Sequence, residues 1–210
     1  MKLPPNSLRR LIALEQYLVY LQKTGVAKIS SENIGKQLGE SAFTIRKDLN
    51  HLGVTGTKGS GYAIYKLLTV IRKALFQEKS AKACIIGLGK LGALLLQMHH
   101  SLFTTPVQLV AGFDININKI ETLPGPVPLF PFYELEEVVD NRKIEIAILA
   151  VNDESVNEVM EKIAETNIHS IINFTNVPVN RALAKNRIVH NINLIKEIKY
   201  ILAKSKQINF

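Results

Sequence analysis

The run CIIGLGKLGALLLQMHH, residues 84 to 100, spaces three glycines as G-x-G-x-x-G at Gly87, Gly89 and Gly92. It follows a short apolar run, Ala83 to Ile86, and opens an apolar stretch of helical character, Ala93 to His99. In a strand, turn and helix of that order, the first glycine permits the tight turn. The second lets the backbone approach a pyrophosphate, and the third lets helix and strand pack closely. The pyrophosphate then sits on free N–H groups at the positive end of the helix dipole. A second apolar run, VQLVAGFD, ends in Asp114, 22 residues beyond Gly92. An acid there is placed to accept adenosine ribose hydroxyls. Its charge repels a 2′-phosphate, so NAD or NADH is expected over NADP, a preference that the nearby Lys119 softens. The plainer role for Asp114 is a helix cap or loop acid.

Little else in the chain suggests reaction chemistry, and no catalytic residues are assigned. His99 and His100 are adjacent, so on a helix they point about 100° apart and form no ready metal site. His169 and His190 fall at or within expected strands, where packing or surface roles are commoner than acid–base work. Cys84 is the single cysteine, which rules out an internal disulfide and a cysteine zinc cluster.

The surrounding pattern alternates strands and helices, as a doubly wound parallel sheet requires. IEIAILAV (144–151), HSIINF (169–174) and RIVHNINL read as strands. Helices are expected near Tyr133 to Val139, over ESVNEVMEKIAET and over LIKEIKYILAK. Ligands of such sheets bind beyond the carboxyl ends of the strands. The expected dinucleotide site is therefore Gly87, Leu88, Gly89, Lys90, Leu91, Gly92 and Asp114 with Ala150, Val151, Asn152, Asn173, Phe174 and Thr175.

Charge separates this region from what precedes it. Residues 1 to 80 hold 13 Lys and Arg against 5 Asp and Glu, whereas residues 81 to 210 hold 13 of each, so the whole +8 lies in the first part. A basic segment of this kind suits a polyanion, most often nucleic acid; a solvated basic surface is the alternative. From Ser7 to about Lys23, Leu8, Leu11, Ile12, Leu14, Leu18, Val19 and Leu21 follow helical steps. Ser30 or Ser31 then caps a short helix that ends at Gly39. Ser41 caps another, whose apolar face is Ala42, Ile45, Leu49 and Leu52 and which ends at Gly53.

The pair reads as a helix-turn-helix. Its second helix offers Ser41, Thr44, Arg46, Lys47, Asn50 and His51 to a major groove, where Arg or Lys pairs with guanine and Asn with adenine. VTGTKGSGYAIY follows, with hairpin glycines at 56, 59 and 61. Such a wing would carry Lys58 and Gly59 to phosphate or the minor groove. A further helix is expected from about Lys66 to Gln77.

With 47% hydrophobic and 21% charged residues the chain is ordinary for a globular protein. MKLPPNSLRR lacks the apolar core of a signal peptide and no run of 18 apolar residues occurs, so a cytoplasmic protein with no membrane partner is expected.

SSENIGKQLGESAFTIRKDLNHLG, GTKGSGY, IIGLGKLG, VAGFD, IEIAILAV, IINF and HNINL together resemble the Rex family of redox-sensing transcriptional repressors over essentially the whole chain. The resemblance implies an α/β protein with a winged helix-turn-helix domain at 1–79, a Rossmann-like NAD(H)-binding domain at 80–192, and a C-terminal helix at 193–210 exchanged between subunits. It implies a homodimer that binds a palindromic operator in double-stranded DNA and senses NADH against NAD+. Arg46 and Lys47 would lie on the recognition helix, and Leu194, Ile195, Ile198, Ile201 and Leu202 on the exchanged helix. The alternatives are a regulator with another nucleotide, such as coenzyme A, or none, and an NAD-dependent oxidoreductase. This chain departs from the family at Asn50-His51-Leu52-Gly53, at Asn152 and at Thr175-Asn176. Gln16, Met98 and Asn193 replace the family's arginine, tyrosine and aspartate at positions tied to switching.

Overall fold

A computed structural model describes residues 3–57, 60–76, 80–103, 106–179, 184 and 186–207. The chain divides into two compact units, Met1–Lys79 and Ser80–Phe210. Among the described residues no helix is long and apolar enough to cross a membrane.

In the first unit, α1 (Pro5–Lys23) begins two residues before the expected start, because proline suits the first helical turn, where its missing N–H goes unused. Leu11, Leu14 and Leu18 form its buried stripe, while Leu8 and Ile12 stay exposed. A two-residue strand β1 (Lys28–Ile29) leads into α2 (Ser31–Leu38). The Ser30 side chain caps α2 by accepting from Asn33 N, and left-handed Gly39 closes it. Ser41 caps α3 (Ala42–His51) in the same way, accepting from Thr44 N, and Gly53 follows with a positive φ of 73°.

The expected hairpin turn closes at Thr57 and Gly61, and the strand that leaves it pairs further back in the chain. β2 (Tyr62–Ala63) pairs antiparallel with β1, more than thirty residues earlier, and the limbs of the turn meet through a Thr57–Gly61 bridge. The reason lies at Gly61, whose φ is 68° and where any Cβ would run into the Ile29 carbonyl oxygen. The returning chain is thus held against β1. It enters α4 (Ile64–Phe76) at once, two residues before the expected start.

A polar tie fastens α1 to α3. Asp48 is 7% exposed, and its oxygens accept from Arg10 Nε at 2.6 Å, Arg10 Nη2 at 3.0 Å and Ser7 Oγ at 2.8 Å. Burial alone raises the Asp48 carboxyl, but the hydrogen bonds from Arg10 and Ser7 and the Arg10 charge outweigh it. The group therefore titrates below the ordinary carboxylate value. A folded-state pKa below the unfolded value of about 3.9 stabilises the fold at neutral pH, and that stabilisation is lost as pH falls through the folded value. Asp48→Asn is expected to cost about 2 kcal/mol at pH 7, read by denaturant melting, and to flatten the acid limb of the stability profile.

The second unit is a six-stranded parallel sheet. β3 (Ala81–Ile86), β4 (Val107–Asp114), β5 (Leu129–Pro131), β6 (Ile146–Leu149), β7 (Ser170–Asn173) and β8 (Ile188–Asn191) lie in the order β5-β4-β3-β6-β7-β8. This is the doubly wound order with its switch point between β3 and β6. Cys84, Ile86, Phe113, Ala147 and Leu149 pack on one face beneath α8 (Leu135–Arg142) and α9 (Val156–Ala164). Ile85, Leu109 and Ile148 pack on the other, beneath Leu96 of α5 (Lys90–Gln97).

α6 (His99–Leu102) follows α5. Neither α6, nor α7 (Ile117–Thr122), nor the edge strand β5 is signalled by the sequence pattern. Edge position explains how β5 tolerates Pro131, which has no N–H to donate. The helix expected near Tyr133 starts at Leu135, after a single tight turn over Phe132–Glu134. The last helix, α10 (Leu194–Ser205), buries none of its residues.

Candidate functional site

The three glycines after β3 do three different things. Gly87 has a φ of 94°, and a Cβ there would lie 2.7 Å from the backbone of Ala150. A Cβ on Gly92 would strike the Gly87 carbonyl oxygen, so this glycine sets how closely α5 sits on the turn. Gly89, at the cap of α5, has ordinary extended angles (φ −69°, ψ −164°), and a Cβ there would meet nothing within 4 Å. Its open side is free for a ligand to approach the helix N-terminus, where no side chain caps α5.

Asp114 at the end of β4 is buried and reaches this turn directly. Its Oδ2 accepts from Leu88 N at 2.7 Å, and its Oδ1 accepts from Asn116 N at 2.8 Å. Lys119 Nζ lies 3.1 Å from Oδ2. The carboxylate therefore anchors the glycine turn while meeting a cation, and both side chains line one cavity of about 160 Å3. That volume suits a single ring system. Gly87, Gly89, Ala150, Val151 and Asn152 line it as well, so the ends of β3, β4 and β6 converge there.

Other expected residues lie elsewhere. Leu88 is buried, while Lys90 and Leu91 are exposed on the first turn of α5; none of the three lines the cavity. Asn173 is fully buried, and its Nδ2 donates to Val177 O and Asn191 Oδ1. Its Oδ1 accepts from Thr175 N and Thr175 Oγ1. Asn173 and Thr175 thus tie β7 to β8 and to the loop after β7, and Phe174 packs against the core beneath α5. Ile115, Phe132, Ser155 and Glu158 also line the cavity, with Ile86, Phe113 and Val159, and none of these is among the residues expected from the sequence. Ile115 was within reach of sequence reasoning, as the residue immediately after Asp114. Ser155 and Glu158 resembled the polar face of an ordinary helix.

Among the described residues no three His, Cys, Asp or Glu side chains form a metal site. Cys84 is wholly buried, which pushes its thiol up to about 12 and keeps it protonated. His169 Nε2 lies 3.3 Å from Glu145, away from the cavity.

On the first unit, Arg46, Lys47, Asn50 and His51 are exposed along α3. Ser41 and Thr44 are taken up by the helix cap, where their hydroxyls lie 2.8 Å apart. Arg46 Nη1 donates to Ser31 Oγ at 3.0 Å and to Glu32 Oε1 at 3.2 Å, which aims the guanidinium along the start of α2. Arg46 and Asn50 share a groove with Gly56 and Thr57 of the wing turn and with Lys28. Lys58 and Gly59 lie outside the described residues.

A winged helix-turn-helix followed by a doubly wound unit with a glycine turn defines a class, the winged-helix regulators that carry a Rossmann-type unit. Comparison with known proteins gives the family. The profile of a family described as DNA-binding protein N-terminus matches residues 2–50, and that of a CoA binding domain matches residues 78–177. The redox-sensing transcriptional repressor Rex of Bacillus cereus strain AH187 is 32% identical over 203 residues, which cover 96% of this chain and 94% of the relative. That of Listeria welshimeri is 29% identical over 201 residues, covering 96% and 92%. The structure of RSP in complex with β-NAD+ and operator DNA matches with a TM-score of 0.84 at 25% identity, over 99% of this chain and 94% of that one. The chain belongs to the Rex family of redox-sensing transcriptional repressors.

Proposed function

We propose that this protein is a cytoplasmic repressor that binds a palindromic operator as a homodimer and senses NADH against NAD+ at the cavity beside Gly89. The observation that carries the reading is the glycine turn, in which two glycines are packed and the third stands open beside a buried carboxylate. The pyrophosphate would rest on the N-terminus of α5, at Gly89, Lys90 and Leu91. Asp114 would accept from the ribose hydroxyls while Lys119 holds its orientation. Ala150, Val151 and Asn152 would wall the base side. The bound group supplies a redox state that differs between its two forms, and this chain's residues hold it. RSP, bound to β-NAD+ and operator DNA in its crystal structure, lends both halves of the proposal support.

Coenzyme A is the second reading, favoured by the family profile over 78–177. Its ribose carries a 3′-phosphate, which the Asp114 carboxylate disfavours. Titration with NADH, NAD+ and coenzyme A, read by thermal shift and by retention of operator DNA, separates the readings. The proposal expects a shift from NADH at micromolar concentration and none from coenzyme A. A shift from coenzyme A alone would overturn it.

On the DNA side, Arg46 would exchange Glu32 for a base edge or phosphate. Arg46→Ala is expected to weaken operator binding by about 1–3 kcal/mol if it reads a base. An unchanged affinity across a salt series would remove Arg46 from the interface.

A further inference from the structure

The exposed face of α3 contains a residue that its polar pattern does not explain. Phe43 is 71% exposed, in the first turn of the helix. At about 100° per residue, Phe43 lies between Arg46 and Lys47, about 20° from Asn50 and about 160° from the buried Ile45. It therefore occupies the middle of the face opposite the core. An aromatic ring left in water there does nothing for the fold, since Ile45 and Leu49 already fill the core side of α3. Lys47 and His51 border the groove beside it, whose far side is formed by Leu3, Pro4 and Asn6 at the start of the chain.

We propose that Phe43 is a specificity-determining residue that reads thymine in the major groove. The inference rests on the proposed DNA-binding reading of α3. First-turn residues of a recognition helix are the ones that meet base edges. A phenyl ring has no hydrogen-bond donor or acceptor, so it cannot read an amine, a carbonyl or a ring nitrogen. The C5-methyl of thymine is the one apolar group that any base shows in the major groove. The flanking Arg46 and Lys47 supply the positive charge that brings a polyanion onto this face, and Phe43 supplies discrimination that charge alone does not.

The test uses the full chain and a duplex it selects from a randomised DNA pool. Each thymine of that duplex is replaced in turn by deoxyuridine, which removes only the methyl group. At one position in each half-site the wild-type protein is expected to bind about fourfold more weakly, the loss of one buried carbon. Phe43→Ala is expected to bind the unmodified duplex about tenfold more weakly than wild type and to be indifferent to that deoxyuridine. Phe43→Leu should recover part of the affinity and of the sensitivity. Full affinity of Phe43→Ala, or deoxyuridine tolerated by the wild type at every position, overturns the role of Phe43 while leaving α3 as the DNA reader. Failure to select any sequence overturns the DNA-binding reading itself, and the inference with it.

Discussion

Gly89→Val is expected to leave the protein folded and to lower its NADH affinity by about 100-fold or more, roughly 2.7 kcal/mol. The prediction depends on how differently the three glycines are placed. Gly87 needs its positive φ and lies against Ala150, and Gly92 lies against Gly87, so a side chain at either would disrupt the unit before any ligand arrived. Gly89 has angles any residue adopts, and its Cβ would enter open space. A valine there costs about 1 kcal/mol in helix capping, which melting of the ligand-free protein measures directly. Its methyl groups then fill the space over the N-terminus of α5, where a pyrophosphate must approach within hydrogen-bond distance. Fluorescence titration with NADH measures the loss. Retained affinity in a folded variant would move the binding site away from this turn.

The glycine turn was legible because everything that defines it is local. Strand, turn and helix occupy fewer than twenty consecutive residues, and Asp114 follows at the end of the next strand. Tertiary contacts decided what was not legible. β1 and β2 have two residues each and exist because Gly61 lets the chain lie against Ile29, a pairing with no periodic signal. β5 is three residues long and contains Pro131, so it reads as a loop until a neighbouring strand accepts it at the sheet edge.

Asp48 sits in a helix among charged residues and reads as solvent-facing. Arg10 and Ser7, supplied by α1, are what allow it to be buried. Asn173 was placed near the ligand by the rule for strand ends, but four hydrogen bonds commit it to Thr175, Val177 and Asn191. Lys119 was legible as a neighbour of Asp114, and the 3.1 Å approach turns that proximity into an ion pair. Asn193 departs from the family's aspartate yet still caps α10, accepting from Lys196 N at 2.9 Å. The helix start survives the substitution, while the negative charge that an aspartate would bring is gone.

Replacing both Ile198 and Ile201 with Asp is expected to turn a dimer into a monomer and to weaken binding to a two-half-site operator by about 10²–10⁴-fold. α10 is twelve residues long and buries none of them; Ile195 is 53% exposed, Ile198 44%, Ile201 63% and Leu202 57%. A lone helix of that length is marginal in water, because the cost of nucleating it is spread over too few hydrogen bonds. An amphipathic helix with an open apolar face is stabilised only when that face is covered. α5 and α6 leave a second apolar stripe exposed at Leu91, Leu94, Met98 and Leu102. In a two-fold dimer, where each subunit gives what it receives, a second copy of the chain would cover both kinds of surface. A dimer would carry two α3 helices, so that on an operator with two half-sites the second binding event becomes intramolecular. Sedimentation velocity reads the assembly, and titration with one-half-site and two-half-site duplexes reads the coupling. The variant should bind a single half-site as the wild type does and lose only the gain from the second. A variant that stays dimeric, or a monomer that binds the full operator at wild-type affinity, would remove α10 from the dimer and leave its exposed face to another partner.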